Sequence, residues 1–406
     1  MMEKPKIRFE SFEKKWESYR LSEYSSYRRG SFPQPYGNKE WYGGNNAMPF
    51  VQVVDVLENL RLVADTKQKI STLAQPMSVF VPSNSVIVTL QGSIGRVAIT
   101  QYDAYVDRTI LIFEDYISQT NKEFWAYTIR NKFEIERQKA PGGTIKTITK
   151  EALSDFKVSI PSYSEQSAIG SLFRILDDLL ASYKDNLANY QSLKTTMLSK
   201  MFPKAGQTVP EIRLDGFEDE WEEKKLGEIV DIIGGGTPDT NVKEYWNGEI
   251  NWFSPTEVGN SIYLDTSEKR ISELGLQKSS AKILPANRTI LFTSRAGIGS
   301  VGIITKDSTT NQGFQSLVTK QGIDIYFLFS YSSEITRYAL KHSAGSTFLE
   351  ISGKELGKMD IIIPTYEEQQ AIGSYFSNLD QLITSYQDKI TQLETLKKKL
   401  LQDMFI

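Results

Sequence analysis

Residues 160–183 read IPSYSEQSAIGSLFRILDDLLASY, and residues 363–386 read IPTYEEQQAIGSYFSNLDQLITSY. Pro161 pairs with Pro364, Glu165-Gln166 with Glu368-Gln369, and Phe173 with Phe376, at a constant offset of 203. The match extends outward on both sides. PKIRFESFEKKWESYRLSE from Pro5 aligns with PEIRLDGFEDEWEEKKLGE from Pro210, setting Phe12 against Phe217, Trp16 against Trp221 and Leu21 against Leu226. VIVTLQGSIGRVAI from Val86 aligns with TILFTSRAGIGSVGI from Thr289, and both copies end in Met-Phe, at 201–202 and 404–405. A period of about 200 residues is far longer than a solenoid repeat. Each copy reads as a domain followed by a long helix. The copies agree at their ends and diverge in the middle, a constant frame around two different readers.

From Glu165 to Phe202 the apolar residues fall on two interleaved sevens. One is Ile169, Leu176, Tyr183, Tyr190 and Met197, and the other is Phe173, Leu180 and Leu187. The second copy repeats this with Ile372, Leu379, Tyr386, Leu393 and Leu400 beside Phe376, Ile383 and Ile390. Alternating spacings of three and four predict a coiled-coil seam. The alternative is two separate amphipathic helices, each on its own domain. Pro161 and Pro364 stand just ahead of the helices, Ser164 is the expected N-cap of the first, and Pro203 stops it. A second helix returning antiparallel to the first would close the chain into a pseudo-twofold body. At 1.5 Å per residue a helix of this length spans about 57 Å, which makes it a spacer longer than one turn of DNA, about 34–36 Å. The expected divisions are 1–160, 161–203, 204–363 and 364–406, each domain being mixed α/β, with short β-rich runs such as VIVTL and TILFT beside helical stretches such as 121–137.

Composition removes several function classes. The chain of 406 residues has no cysteine and one histidine, His342, which argues against thiolate metal sites, disulfides and His-based triads. No apolar run reaches membrane-spanning length and the first residues lack a signal-peptide core, so a cytoplasmic protein without membrane contact is expected. Net charge is −3, yet residues 1–160 carry 22 Lys+Arg against 18 Asp+Glu, and residues 203–364 carry 17 against 22. Nine acids between Glu211 and Asp231 supply much of that deficit. Whole-chain charge therefore decides little about a local basic face. No N-P-P-[YF] or D-P-P-Y stretch and no G-x-x-x-x-G-K-[ST] loop occurs, which speaks against methyl transfer and nucleotide hydrolysis by this chain.

The opening GFEDEWEEKKLGEI, the twice-written P-x-x-x-EQ-x-AIG-x-x-F-x-x-LD and the domain–helix duplication resemble the specificity subunit of Type I restriction–modification systems. In the first copy Ser11 and Ser22 stand where the second has Gly216 and Gly227. The resemblance implies two target-recognition domains, each reading half of a bipartite, asymmetric site on double-stranded DNA, joined and separated by two antiparallel coiled-coil helices. It implies a non-catalytic chain without cofactor of its own. Its partners would be two modification subunits, which carry S-adenosylmethionine and methylate adenine, and motor-nuclease restriction subunits. The rival readings are a coiled-coil scaffold whose domains bind protein, an enzyme built on GGGT and the Ser/Lys turns, and a reader that works only inside its complex.

Reading bases needs side chains that offer paired hydrogen bonds, with cations and backbone groups on phosphates. Within SYRRGSFPQPYGNKEWYGG the candidates are Tyr27, Arg28, Arg29, Ser31, Tyr36, Asn38 and Lys39. The turns LQGSIGR and TSRAGIGS offer Gln91, Ser93 and Arg96 against Arg295, Gly297 and Ser300, with Ile94-Gly95 and Ile298-Gly299 as scaffold. Asp107-Arg108 faces Asn311-Gln312. Thr237 follows the glycine run 234–236, which reads as a phosphate cradle or a mobile turn. A last group, Lys139, Thr144 and Lys146 against Lys341, Ser346 and Thr347, precedes the long helices. If these lysines bind phosphate, substituting each should weaken all sequences similarly and lower the salt slope by about one. Each of these groups also admits an ordinary loop or a core polar network.

Overall fold

The computed structural model describes residues 5–139, 153–204, 206–295, 297–345 and 349–405. Two compact units divide it: residues 1–185 with 388–406, and residues 186–387. The divisions fall inside the two long helices, Tyr163–Lys200 and Tyr366–Met404. Each unit thus holds one domain, the near half of one long helix and the far half of the other.

Both domains follow one topology. In the first, Ser25–Arg29, Ile110–Tyr116, Val86–Thr89 and Val97–Ile99 form an antiparallel sheet in that order. Its β-branched runs are fully buried, as Val86, Ile87 and Val88 illustrate. A second sheet orders Gln68–Ile70, Met48–Val51, Ala104–Val106 and Phe80–Val81. In the second domain Val230–Gly234, Gln315–Thr319, Thr289–Phe292 and Val301–Ile304 repeat the first sheet, with Tyr263–Leu264 added at its edge. Lys269–Ile271, Trp246–Phe253 and Ser308–Thr310 repeat the second sheet. Glu17–Arg20 with Lys157–Ile160, and Glu222–Lys225 with Asp360–Ile363, form matching two-stranded ribbons beside the start of each long helix.

The shared signature is a joint. Ser162 Oγ, not Ser164, accepts from Glu165 N at 3.4 Å, and Thr365 does the same for Glu368. The difference arises because the helix starts at Tyr163, so Ser162 holds the capping position. Glu165 is 1% exposed and takes both arms of the Arg8 guanidinium at 2.7 Å. Glu368 takes Arg213 in the same way, at 2.8 and 2.7 Å. Gln166 accepts from Asn121 N at 3.0 Å and donates to the Pro161 carbonyl at 3.0 Å; Gln369 does so with Asp324 N at 3.1 Å and Pro364. Asn121 and Asp324 in turn cap the domain helices, accepting from Phe124 N and Phe327 N. The helix of each joint passes so close to this cap that a Cβ on Gly170 would lie 2.4 Å from Asn121 Oδ1, and one on Gly373 2.3 Å from Asp324 Oδ1.

That contact gives a first prediction. Helix propensity alone favours Gly170→Ala by about 1 kcal/mol, but overpacking against a rigid cap costs about 1–3 kcal/mol. Net destabilisation in urea unfolding is the expected outcome. A gain in stability would show that the cap can move aside.

The LD of the signature ties helix to helix. Asp177 accepts from Lys397 of the other long helix and from the Tyr127 hydroxyl. Asp380 accepts from Lys194 at 2.5 Å and from Tyr326 at 2.9 Å. Burial lowers the Lys397 pKa, and Asp177 partly opposes this; burial together with the adjoining aspartate raises Tyr127 and Tyr326. Such buried pairs add little net stability, because desolvation offsets much of their attraction. With Lys184–Glu394 in one unit and Tyr190–Tyr386 in the other, partner numbers fall as helix numbers rise, so the helices run antiparallel in each unit.

The seam divides its labour. Ile169, Phe173 and Leu176 enter the first domain's core, and Ile372 and Phe376 the second's. Leu180, Leu379, Ile383 and Ile390 are buried farther along, while Tyr183, Leu187 and Tyr386 are half-buried. Each far end plugs a domain core: Met201 and Phe202 in the second, Met404 and Phe405 in the first.

Candidate nucleic-acid interface

Three loops converge at one end of each domain, and the backbone brings them together identically. After the strand Ser25–Arg29, Gly30 and Ser31 donate to the carbonyls of Ile110 and Val106 and carry the chain to Phe32. In the second copy Gly236 donates to the Thr310 carbonyl ahead of Thr237. The second loop turns on a side-chain cap. Asp107 is buried and its Oδ1 accepts from Thr109 N at 2.9 Å; Asn311 Oδ1 accepts from Gly313 N at 2.8 Å. Their own N–H groups donate to Val51 and Phe253 carbonyls. Residues 108 and 312 are thereby left at the tips of equivalent, internally braced turns. The third loop is tied to the second: Leu90 N donates to the Thr109 carbonyl and Ser294 N to the Gly313 carbonyl, both at 2.8 Å. Gln91 therefore neighbours Arg108, and Arg295 neighbours Gln312.

The side chains there are held but not consumed. The Arg108 guanidinium lies over the Phe32 ring, 4.6 Å from its centroid, and Phe32 packs edge-on against the exposed Tyr36. Thr237 Oγ1 donates to Gln312 Oε1 at 2.5 Å. Gln91 and Gln312 are exposed and Arg295 is half-exposed. Neither Arg108 nor Arg295 has a carboxylate partner among the described residues.

Other sequence candidates sit elsewhere or carry structural duties. Tyr27 packs on Phe113 and its hydroxyl meets Ser154 Oγ, while Arg28 pairs with Glu114 at 2.6 Å on the exposed sheet face. Arg29 beside it is exposed. Ser31 Oγ donates to Met77 O, and Asn38 caps the short turn that begins with the exposed Lys39. Arg96 pairs with Glu58 at 3.4 Å. The Ser93 and Gly297 carbonyls, with those of Arg96 and Ser300, close on Thr89 and Thr293, so Ile94-Gly95 and Ile298-Gly299 lie inside stapled turns. Lys139 ends the helix Lys122–Lys139, and Lys341 lies in the last turn of Ser332–His342. Thr144, Lys146, Ser346 and Thr347 lie outside the described residues.

The glycine run packs tightly against neighbouring backbone. A Cβ on Gly235 would lie 2.1 Å from the Asn311 carbonyl oxygen, and one on Gly236 2.3 Å from Ser280 Oγ. Its glycines are there for close packing of backbone on backbone. His342 closes its helix, its Nδ1 donating to the Tyr338 carbonyl and its ring stacked on Tyr338. Among the described residues no cluster of His, Asp and Glu suits a metal, and no helix is long and apolar enough to cross a membrane.

Comparison with known proteins agrees with the duplicated plan. The family model described as the Type I restriction modification DNA specificity domain matches twice, over residues 13–190 and 218–395. The specificity subunit of the Type I restriction enzyme MjaIX of Methanocaldococcus jannaschii is 38% identical over 192 residues, 46% of this chain and 44% of that protein. The EcoR124I/EcoR124II specificity subunit of Escherichia coli is 32% identical over 190 residues, 45% of this chain and 46% of its own length. The matched stretch thus spans about half the length of each of these curated relatives. In fold, the chain is similar to the crystal structure of a Type I restriction-modification S subunit from M. genitalium, with a TM-score of 0.64, 16% identity and 99% of both chains covered. Two such domains, joined in one frame and covering most of the sequence, place this chain in the Type I restriction modification DNA specificity family.

Proposed function

We propose that this chain is the DNA-reading subunit of a Type I restriction–modification complex, each domain reading one half of a bipartite site. The observation that carries the reading is the contrast between frame and rim. Joint residues recur in both copies, whereas the tips braced by the same backbone bonds differ: Gln91 against Arg295, and Arg108 against Gln312. A scaffold that bound one kind of partner twice would have no use for that divergence. The paired long helices, 38 and 39 residues, act as the spacer. In this reading the chain performs no chemistry. Two modification subunits carry S-adenosylmethionine and methylate adenine, and motor-nuclease subunits cut unmodified DNA in the cytoplasm.

The test is methylation mapping in cells that express the chain with its cognate modification subunit. A bipartite methyl-adenine motif that depends on this chain is expected, and replacing residues 1–160 should change one half of it. Binding by the complex should weaken steeply with salt. With a demonstrably active modification subunit and no motif, the scaffold reading takes over.

A further inference from the structure

Resting on that DNA-reading role, we infer that positions 108/312 and 91/295 contact base edges, and that the two domains present the same two chemistries in exchanged places. The first domain carries arginine at 108 and glutamine at 91, while the second carries glutamine at 312 and arginine at 295. The positions are equivalent by hydrogen bonding, not merely by alignment. Residues 107 and 311 donate to equivalent strand carbonyls, of Val51 and Phe253, and cap equivalent turns, and residues 90 and 294 donate to matching carbonyls of those turns, of Thr109 and Gly313.

Arg108 and Gln312 are held in the way a base reader needs. Arginine reads guanine through O6 and N7, and glutamine reads adenine through N6 and N7, each with two parallel hydrogen bonds. The Phe32 ring supports the flat face of Arg108, which leaves the donor edge open while limiting its rotation. The Thr237 hydroxyl fixes Gln312 Oε1. That orients the amide so that Nε2 is free to donate and Oε1 keeps a second lone pair for an adenine amino group. Arg28 and Arg96, by contrast, already face Glu114 and Glu58. The two half-sites therefore each contain one guanine and one adenine contact, made from the two turns in opposite order.

The experiment uses the complex of this chain with its modification subunits and a set of duplexes in which each base pair of the site is varied singly. For Arg108→Ala the preference at one guanine in one half-site should fall by about ten- to a hundredfold, with the other half-site read as before. Gln312→Ala should flatten one adenine position in the opposite half. The exchange Arg108→Gln with Gln91→Arg should move preferred bases within the first half only. The assignment is overturned if Arg108→Ala and Gln312→Ala keep every preference of the unaltered complex, or if both halves lose selectivity together. A complex of the unaltered chain that shows no base preference anywhere would instead defeat the DNA-reading role itself, and the assignment with it.

Discussion

Phe405→Ala is expected to destabilise the first domain, far from it in sequence, by about 3–5 kcal/mol, the usual range for truncating a buried phenylalanine. The Phe405 ring stacks on Phe124 with centroids 5.6 Å apart and lies 5.7 Å from Phe173, both fully buried. The rings of Phe124 and Phe173 are rigid, so truncation leaves a cavity whose cost adds to the lost transfer energy. Hydrogen exchange read segment by segment is the measurement. Amides of Phe124–Phe133 and Ile110–Tyr116 should lose protection, and those of Thr289–Phe292 should not. Phe202→Ala should produce the reverse pattern, since Phe202 stacks on Phe376 and packs tilted against Phe327 in the other unit. Equal loss in both domains for either variant would show that the plugs are not local.

Arg8→Ala should cost a similar amount by a different route. The Glu165 carboxylate is almost wholly buried, and its partners are the two arms of Arg8 and the Trp16 indole N–H at 3.2 Å. The shared hydrogen bond raises the Arg8 pKa above its ordinary value, with charge attraction adding to it against desolvation. Removing the arginine leaves a buried charge without a counter-ion, a loss of roughly 3–5 kcal/mol. Arg8→Ala with Glu165→Ala should lose less than the two single changes added together. Urea unfolding of the four proteins measures this coupling, and simple additivity would mean that the pair is not a unit. The same cycle on Arg213 and Glu368 serves as a replicate within one chain.

Much of the frame was legible because the copies annotate each other. Proline, glutamate-glutamine and Met-Phe recur at one spacing, and heptads announced two helices that pair. The partition of the seam was not legible: Phe173 and Leu180 occupy the same heptad series, yet one enters a domain core and the other does not. Periodicity reports which face is buried and not what covers it. The polar joint was not legible, although Arg8 and Arg213 stand at matching positions of the two copies. A recurring charge reads as solvated until the structure places a buried carboxylate opposite. At the rim, sequence paired Arg108 with Gln312 and Gln91 with Arg295 but could not set the pairs side by side. That neighbourhood depends on single backbone bonds, Leu90 to Thr109 and Ser294 to Gly313, between segments some twenty residues apart. Arg28 and Arg96 looked equally suited to DNA, and only their partners Glu114 and Glu58 separate them from Arg108.

The double joint also bears on how such chains acquire new properties. Arg8, Asn121 and Tyr127 belong to the first domain, while the groups they grip, Glu165, Gln166 and Asp177, belong to the helix that follows. Arg213 and Asp324 stand at the same places in the second copy for Glu368 and Gln369, and Tyr326, one helical turn earlier than the counterpart of Tyr127, serves Asp380. A segment exchanged between genes at the boundary before either helix would therefore meet a matching socket, provided it brought its own arginine, helix cap and tyrosine. Recombination could then replace a whole rim in one event while the inherited frame went on folding as before.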